Sequence, residues 1–314
     1  MHRTTTGALA TVAALALMAP AAEATDLVFL TGSQGGAWYP TGGAIKALVE
    51  DRHSDVSVRV RPGAGLANIQ AIEQGQAQLA LSNTISAVDA VAGREPFAGP
   101  IANICNIAYL YPQVFQAVVV NMDIHGLADF RDRRLAVVPR GNTAEQVAHL
   151  AFTANGLDYD DFARVNFASM SDQVNMMKDG QVDGFVQTTG VPAGVVMDVA
   201  SSRPIRVLPV DDATFEAMRE VNGGFARHTI PAGAYPGMDE PVETVAFGTH
   251  VIGDCGLDED LVYNITAAMV DGIDDLRRAV AVLREVSPEA MGQDVGIAWH
   301  PGAERFYREH GLID

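Results

Sequence analysis

Short apolar runs alternate with stretches of helical spacing along most of the chain. Residues 26–31 form an apolar strand pattern, and a helical pattern follows over 41–50. Residues 56–61 alternate as a strand, 66–74 read as a helix, 78–82 as a strand and 85–91 as a helix. The order returns later: a strand at 134–138 leads into a helix at 144–154, and a strand at 183–187 into a helix at 193–200. Strands that alternate with helices predict mostly parallel α/β sheets. In such sheets ligands bind beyond the carboxyl ends of the strands.

One segment repeats. Gly75-Gln-Ala-Gln-Leu-Ala-Leu-Ser-Asn-Thr84 aligns without gaps on Gly180-Gln-Val-Asp-Gly-Phe-Val-Gln-Thr-Thr189. Each copy closes a helix, makes a strand and ends on polar residues: Ser82 and Asn83 in the first, Gln187, Thr188 and Thr189 in the second. The strand and polar loop at 27–36 have a similar partner at 135–143. The pattern predicts two related lobes that offer polar strand ends to a shared cleft. Two extended stretches, 114–120 and 242–252, are the candidate crossings. Lobe one is then 25–117 plus 243–314, and lobe two is 118–242. Two lobes on a hinge are expected to close over a ligand.

The first 24 residues stand apart. A short basic start at Arg3, an apolar run over 7–18 and Ala22-Glu-Ala24 make the pattern of a cleavable secretory signal peptide, which predicts export to the periplasm. The 314 residues carry 21 Lys+Arg against 39 Asp+Glu, a net charge of −18. That balance argues against nucleic acid as a partner, because phosphate binding needs clustered cations. Apolar residues make up 48% of the chain, enough for a packed core rather than disorder. Cys105 and Cys255 are read as two buried free thiols, with a bridge between them as the alternative.

The loop Gly32-Ser-Gln-Gly-Gly-Ala-Trp-Tyr-Pro-Thr-Gly-Gly43 follows a strand and opens a helix, where glycines let bare amides approach an anion. Its spacing fits neither a P-loop nor a dinucleotide fingerprint. Ser33, Gly35 and Gly36 are candidate amide or hydroxyl donors, and Trp38 and Tyr39 candidate walls. In the second lobe Arg140 is a candidate grip for a carboxylate, and Asn142 or Thr143 a candidate helix cap. No His-Glu-x-x-His spacing and no Gly-x-Ser-x-Gly elbow occurs, so no enzyme, metal or cofactor is expected. A secreted hydrolase using Ser33 or Ser82 is the rival from another class.

These motifs resemble the TAXI-type substrate-binding proteins of TRAP (tripartite ATP-independent periplasmic) transporters. The resemblance rests on Gly35-Gly-Ala-Trp-Tyr-Pro-Thr-Gly-Gly43, on Asn68 in Gly-Leu-Ala-Asn, and on Gln173-Val-Asn-Met-Met-Lys-Asp-Gly-Gln-Val-Asp183. It extends to Thr244-Val-Ala246 and to His300-Pro-Gly-Ala-Glu-Arg-Phe-Tyr-Arg-Glu-His-Gly311. It implies a two-lobe periplasmic-binding-protein type II-like fold, with the cleft between lobes joined by crossover strands. It also implies a small carboxylate ligand such as glutamate or 2-oxoglutarate, and a permease partner driven by an ion gradient. The receptor is expected to act as a monomer; service to an ATP-driven importer or a sensor is the neighbouring alternative. Two departures fall in the expected cleft. Gly63-Ala-Gly65 stands where the family often has Gly-Gly-Ser, and Arg140-Gly-Asn-Thr143 where it has Gly-Ser-Gly-Thr.

Overall fold

A computed structural model describes residues 25–32 and 36–314. The expected signal peptide, Ser33 and Gly35 lie outside the described residues. The first half runs β1 (Thr25–Leu30), α1 (Trp38–Arg52), β2 (Val56–Arg61), α2 (Gly65–Glu73), β3 (Leu79–Asn83) and α3 (Thr84–Ala92). The 16-residue β4 (Ile104–Val119) then crosses to the second half. That half holds β5 (Arg134–Val137), α4 (Thr143–Ala154), β6 (Arg164–Phe167), α5 (Met170–Lys178), β7 (Gly184–Thr189), α6 (Gly194–Ala200), β8 (Arg206–Leu208), α7 (Asp212–Val221) and β9 (Ala226–Ile230). The 13-residue β10 (Val242–Asp254) crosses back. Helices α8 (Glu259–Asp271), α9 (Ile273–Ala279), α10 (Pro288–Met291) and α11 (Pro301–Glu309) complete the first half.

The strand order β2-β1-β3-β10-β4-β7-β5-β6 reads the same from either end. Parallel units β2-β1-β3 and β6-β5-β7 face each other across two antiparallel crossing strands. The repeated segment explains this. Gly75 and Gly180 both take φ +68°, a left-handed turn that glycine adopts without a Cβ clash. Each is followed by the same hydrogen bond, Gln76 N–H to the Ala71 carbonyl and Gln181 N–H to the Met176 carbonyl. The shared polar position does the same work in both copies. Gln78 Oε1 accepts from the Val28 amide at 2.9 Å, and Asp183 Oδ2 from the Arg134 amide at 2.8 Å. A side chain thus fixes each strand's register against its neighbour.

The crossing strands change partners midway. On β10, Val242–Ala246 pairs with β9 while residues 249–253 pair with β3. On β4, residues 114–119 pair with β7. The apolar core follows the same division. Leu27, Phe29, Ile107, Leu110 and Val251 pack with α8 and α11, whereas Phe115, Val119, Leu135, Val186 and Val245 pack with α4 and α7. A bulge near Leu110, where Tyr109 and Tyr111 face adjacent residues of β10, turns those two rings to different surroundings.

The cysteines correct one expectation. Cys105 and Cys255 form a disulfide. The ladder sets Cys105 opposite Gly253, so the chain just past β10 brings the two Cα atoms to 5.1 Å, within bridging range. Among the described residues no helix is long and apolar enough to cross a membrane.

Candidate functional site

Parallel βα units put every helix start at the carboxyl edge of the sheet. Here the starts of α1 to α5 converge on one cavity of about 190 Å³. Its first-half wall is Gly32, Gly36, Ala37 and Trp38, the turn Gly63-Ala-Gly65, and Asn83. Its second-half wall is Asn142, Ala144, Met170, Thr188 and Thr189. Tyr111 and Gln113 of β4 form the floor.

The two walls differ in one respect. Among the described residues, helices α1, α2 and α3 start at Ala37, Ala64 and Asn83 with no side-chain cap. Helices α4 and α5 are capped by Asn142, which accepts from the Ala144 amide, and by Ser169, which accepts from the Asp172 amide. Uncapped first-turn amides and the helix dipole together favour an anion, by about 0.3–1 kcal/mol per helix at exposed sites and more where partly buried. Asn83 is 6% exposed, and its amide makes no side-chain hydrogen bond among the described residues. Among the described residues, no Asp, Glu, Lys or Arg lines the cavity.

The floor ties the halves together. Oriented to satisfy all its neighbours, the Gln113 amide accepts from Trp38 Nε1 at 3.2 Å and Thr249 Oγ1 at 2.9 Å, and donates to the Thr188 carbonyl at 3.0 Å. Burial pushes the Tyr111 phenol up to about 12, so it stays a neutral hydroxyl. Three further contacts join the halves around the cavity. The Ser86 and Thr143 hydroxyls lie 3.2 Å apart. Asn222 Nδ2 donates to the Ile85 carbonyl at 3.0 Å, and Arg94 to the Val221 carbonyl at 3.1 Å.

Of the residues singled out from sequence, Gly36, Trp38, Asn83, Asn142, Thr188 and Thr189 meet at the cavity. Thr143 sits beside it in the Ser86 contact. Asn68 does not face it. Its amide nitrogen donates to the Thr31 and Leu81 carbonyls at 2.8 and 2.7 Å, and its oxygen accepts from the Ala64 amide at 3.1 Å. It clamps β1, β3 and the start of α2. Ser82 is fully buried and donates to the Gly65 carbonyl, which leaves no exposed nucleophile there. Gln187 is buried against Gln173 at 2.6 Å. Tyr39 lines an outer depression with Lys46 and Arg59, since one step along a helix turns the side chain by about 100° from Trp38. Arg140 is exposed, and its guanidinium lies 4.7 Å from the Phe167 ring centre and 5.6 Å from that of Tyr159. Two aromatic faces hold that cation outside the cavity.

Tyr111, Gln113 and Met170 went unsingled in the sequence. The first two sit on a strand buried on both faces, where alternation marks no face.

Solved structures share the fold, among them the following three. PhnD1 from Prochlorococcus marinus, in complex with methylphosphonate, is 12% identical, with 93% of this chain and 100% of that one covered and a TM-score of 0.56. A structure from Bordetella bronchiseptica is 17% identical over 92% and 99%, with a TM-score of 0.55. A TctC solute binding protein from Polaromonas is 17% identical over 92% and 95%, with a TM-score of 0.52. The architecture is the two-lobe periplasmic-binding-protein type II-like fold, its cleft spanned at the base by crossover strands. The sequence pattern of the NMT1-like family matches residues 29–311, and the chain belongs to that family.

Proposed function

We propose that the protein is a periplasmic solute receptor that captures a small carboxylate between its lobes and delivers it to a membrane transporter of the TRAP type. The observation that carries this reading is the meeting of three helix starts, uncapped among the described residues, on a small cavity that no described charged side chain lines. Such a place holds an anion by amide hydrogen bonds, and among the described residues no cluster of His, Cys, Asp or Glu could hold a metal ion. The membership of the NMT1-like family and the solute-binding neighbour support a receptor. The neighbour that holds methylphosphonate supports an anionic guest. The site residues we assign are Gly36, Trp38, Gly65, Asn83, Gln113, Asn142, Thr188 and Thr189. We set the hinge where strand partners change, at 112–113 and 247–248, a few residues inside the borders expected from sequence. Residues 1–24 act as the signal peptide, the receptor works as a monomer, and TAXI-type TRAP delivery is the reading the motifs favour.

Native mass spectrometry of the protein purified without unfolding tests capture: a co-purified small acid is expected, and a non-acidic guest would exclude the carboxylate. Membrane vesicles that contain the permease test delivery. Uptake of the labelled acid is expected with an ion gradient and no ATP; uptake that needs ATP assigns the receptor to an ATP-driven importer.

A further inference from the structure

We infer that the cavity selects an acid with one negative charge and no ammonium group: a small 2-oxo or 2-hydroxy monocarboxylate, in preference to a dicarboxylate or an amino acid. The inference rests on the receptor reading above and deepens it. Its basis is the balance of charge around the cavity. Among the described residues no Asp, Glu, Lys, Arg or His lines it, and the Tyr111 phenol stays neutral.

One carboxylate has a place on the first-half wall. There, among the described residues, α1, α2 and α3 begin without a side-chain cap, and the buried Asn83 side-chain amide faces the space without a hydrogen-bond partner. A second carboxylate would lie against the opposite wall. One first-turn amide of each helix there, that of Ala144 in α4 and that of Asp172 in α5, is already taken by Asn142 or Ser169, and Thr188, Thr189 and Met170 are neutral. Arg140, the cation nearest in sequence to Asn142, is engaged with Phe167 and Tyr159. An ionised group taken from water without a counter-charge is strongly disfavoured.

An ammonium meets the converse problem. Glu145 accepts from the Tyr159 hydroxyl at 3.0 Å, and Asp172 faces a separate outer depression. Neither reaches the cavity lining. A neutral keto or hydroxyl oxygen beside the carboxylate, by contrast, finds neutral partners in Gln113 and the threonines. The space of about 190 Å³ beside Trp38 and Tyr111 suits a small acid, so charge rather than size carries the selection.

The test is calorimetric titration of the dialysed mature protein at pH 7 with pyruvate, lactate, succinate, 2-oxoglutarate and glutamate. Pyruvate or lactate is expected to bind at least tenfold more tightly than the other three. Tighter binding of succinate, 2-oxoglutarate or glutamate overturns the selection and leaves the receptor reading standing; no heat from any of the five overturns both. Asn83→Asp adds a negative charge with little change of volume. With a native far-UV spectrum, it is expected to weaken pyruvate or lactate at least tenfold, and unchanged affinity would overturn the placement of the carboxylate. Thr189→Arg supplies a cation on the opposite wall. It is expected to raise succinate affinity relative to lactate at least fivefold, and no such gain would overturn the account of why a second charge is excluded.

Discussion

At the scale of single residues, framework and site lie side by side and differ in where hydrogen bonds go. Gly65 belongs to the site. A Cβ there would stand 2.8 Å from Asn83 Nδ2, 3.3 Å from Thr143 Oγ1 and 3.4 Å from the Trp38 ring. Gly65→Ala is therefore expected to cost about 1–3 kcal/mol of ligand affinity by overpacking, with a native circular dichroism spectrum. Asn68 belongs to the framework. Asn68→Ala leaves the Thr31 and Leu81 carbonyls without its amide, at about 1–3 kcal/mol for each buried group left unpaired. The loss should appear in the urea midpoint, with ligand affinity of the folded protein little changed. Asn68 entered the candidate site through the family resemblance and Asn83 through the polar end of the repeated strand, and nothing in the sequence separates their roles. What separates them is the partner carbonyls of Thr31 and Leu81, which only the folded sheet brings near. His250 shows another consequence of burial. It is fully enclosed on β10, hydrogen-bonded to Asn106 at 3.0 Å, and burial drives its pKa down from 6.5 to about 3. The unfolded chain takes up this proton near pH 6.5 and the folded chain does not. Stability is thus intact above pH 6.5 and declines as pH falls toward 3, by up to about 1.4 kcal/mol per pH unit. Urea midpoints between pH 7.5 and 5 should show this slope, and His250→Gln should flatten it.

At the scale of elements, the repeated segment was legible because it is local: a left-handed glycine, a register-fixing polar residue and an apolar strand all lie within ten positions of Gly75 or Gly180. The crossing strands were legible only in part. β4 begins at Ile104, ten residues before the stretch expected from sequence, since a strand covered on both faces has no alternation to mark its start. The disulfide was not legible, because a separation of 150 residues carries no information on geometry. Its place at the far ends of β4 and β10 now gives it a role, since it fixes the two crossing strands to each other in the first half. Replacing both cysteines by serine is expected to lower stability by about 2–5 kcal/mol, read as a shift in the denaturant midpoint. Ligand affinity should hold, since neither cysteine lines the cavity.

At the scale of the whole molecule, the closure proposed for the two lobes would depend on a few contacts between halves that lie outside the cavity. Asn222 is the most isolated of these. Its nitrogen reaches the Ile85 carbonyl, and its oxygen accepts from the Gly224 amide at 2.8 Å. Asn222→Ala removes a stabilising contact of the closed form and touches no lining residue. One hydrogen bond of about 0.5–1.5 kcal/mol corresponds to a two- to tenfold loss of apparent affinity through the closure equilibrium. Small-angle scattering should show a larger radius of gyration for this variant at subsaturating ligand.

The interleaved strand order also sets a timetable. β3 finds its second neighbour only in β10, which lies some 160 residues further along the chain. The half that emerges first therefore keeps a bare, pairing-competent edge until β10 at residues 242–254 of the 314 has been made, whereas β5, β6 and β7 can pair as soon as they appear. Translation thus begins with one lobe and folding finishes there, and any truncation before residue 242 leaves that edge open to other chains.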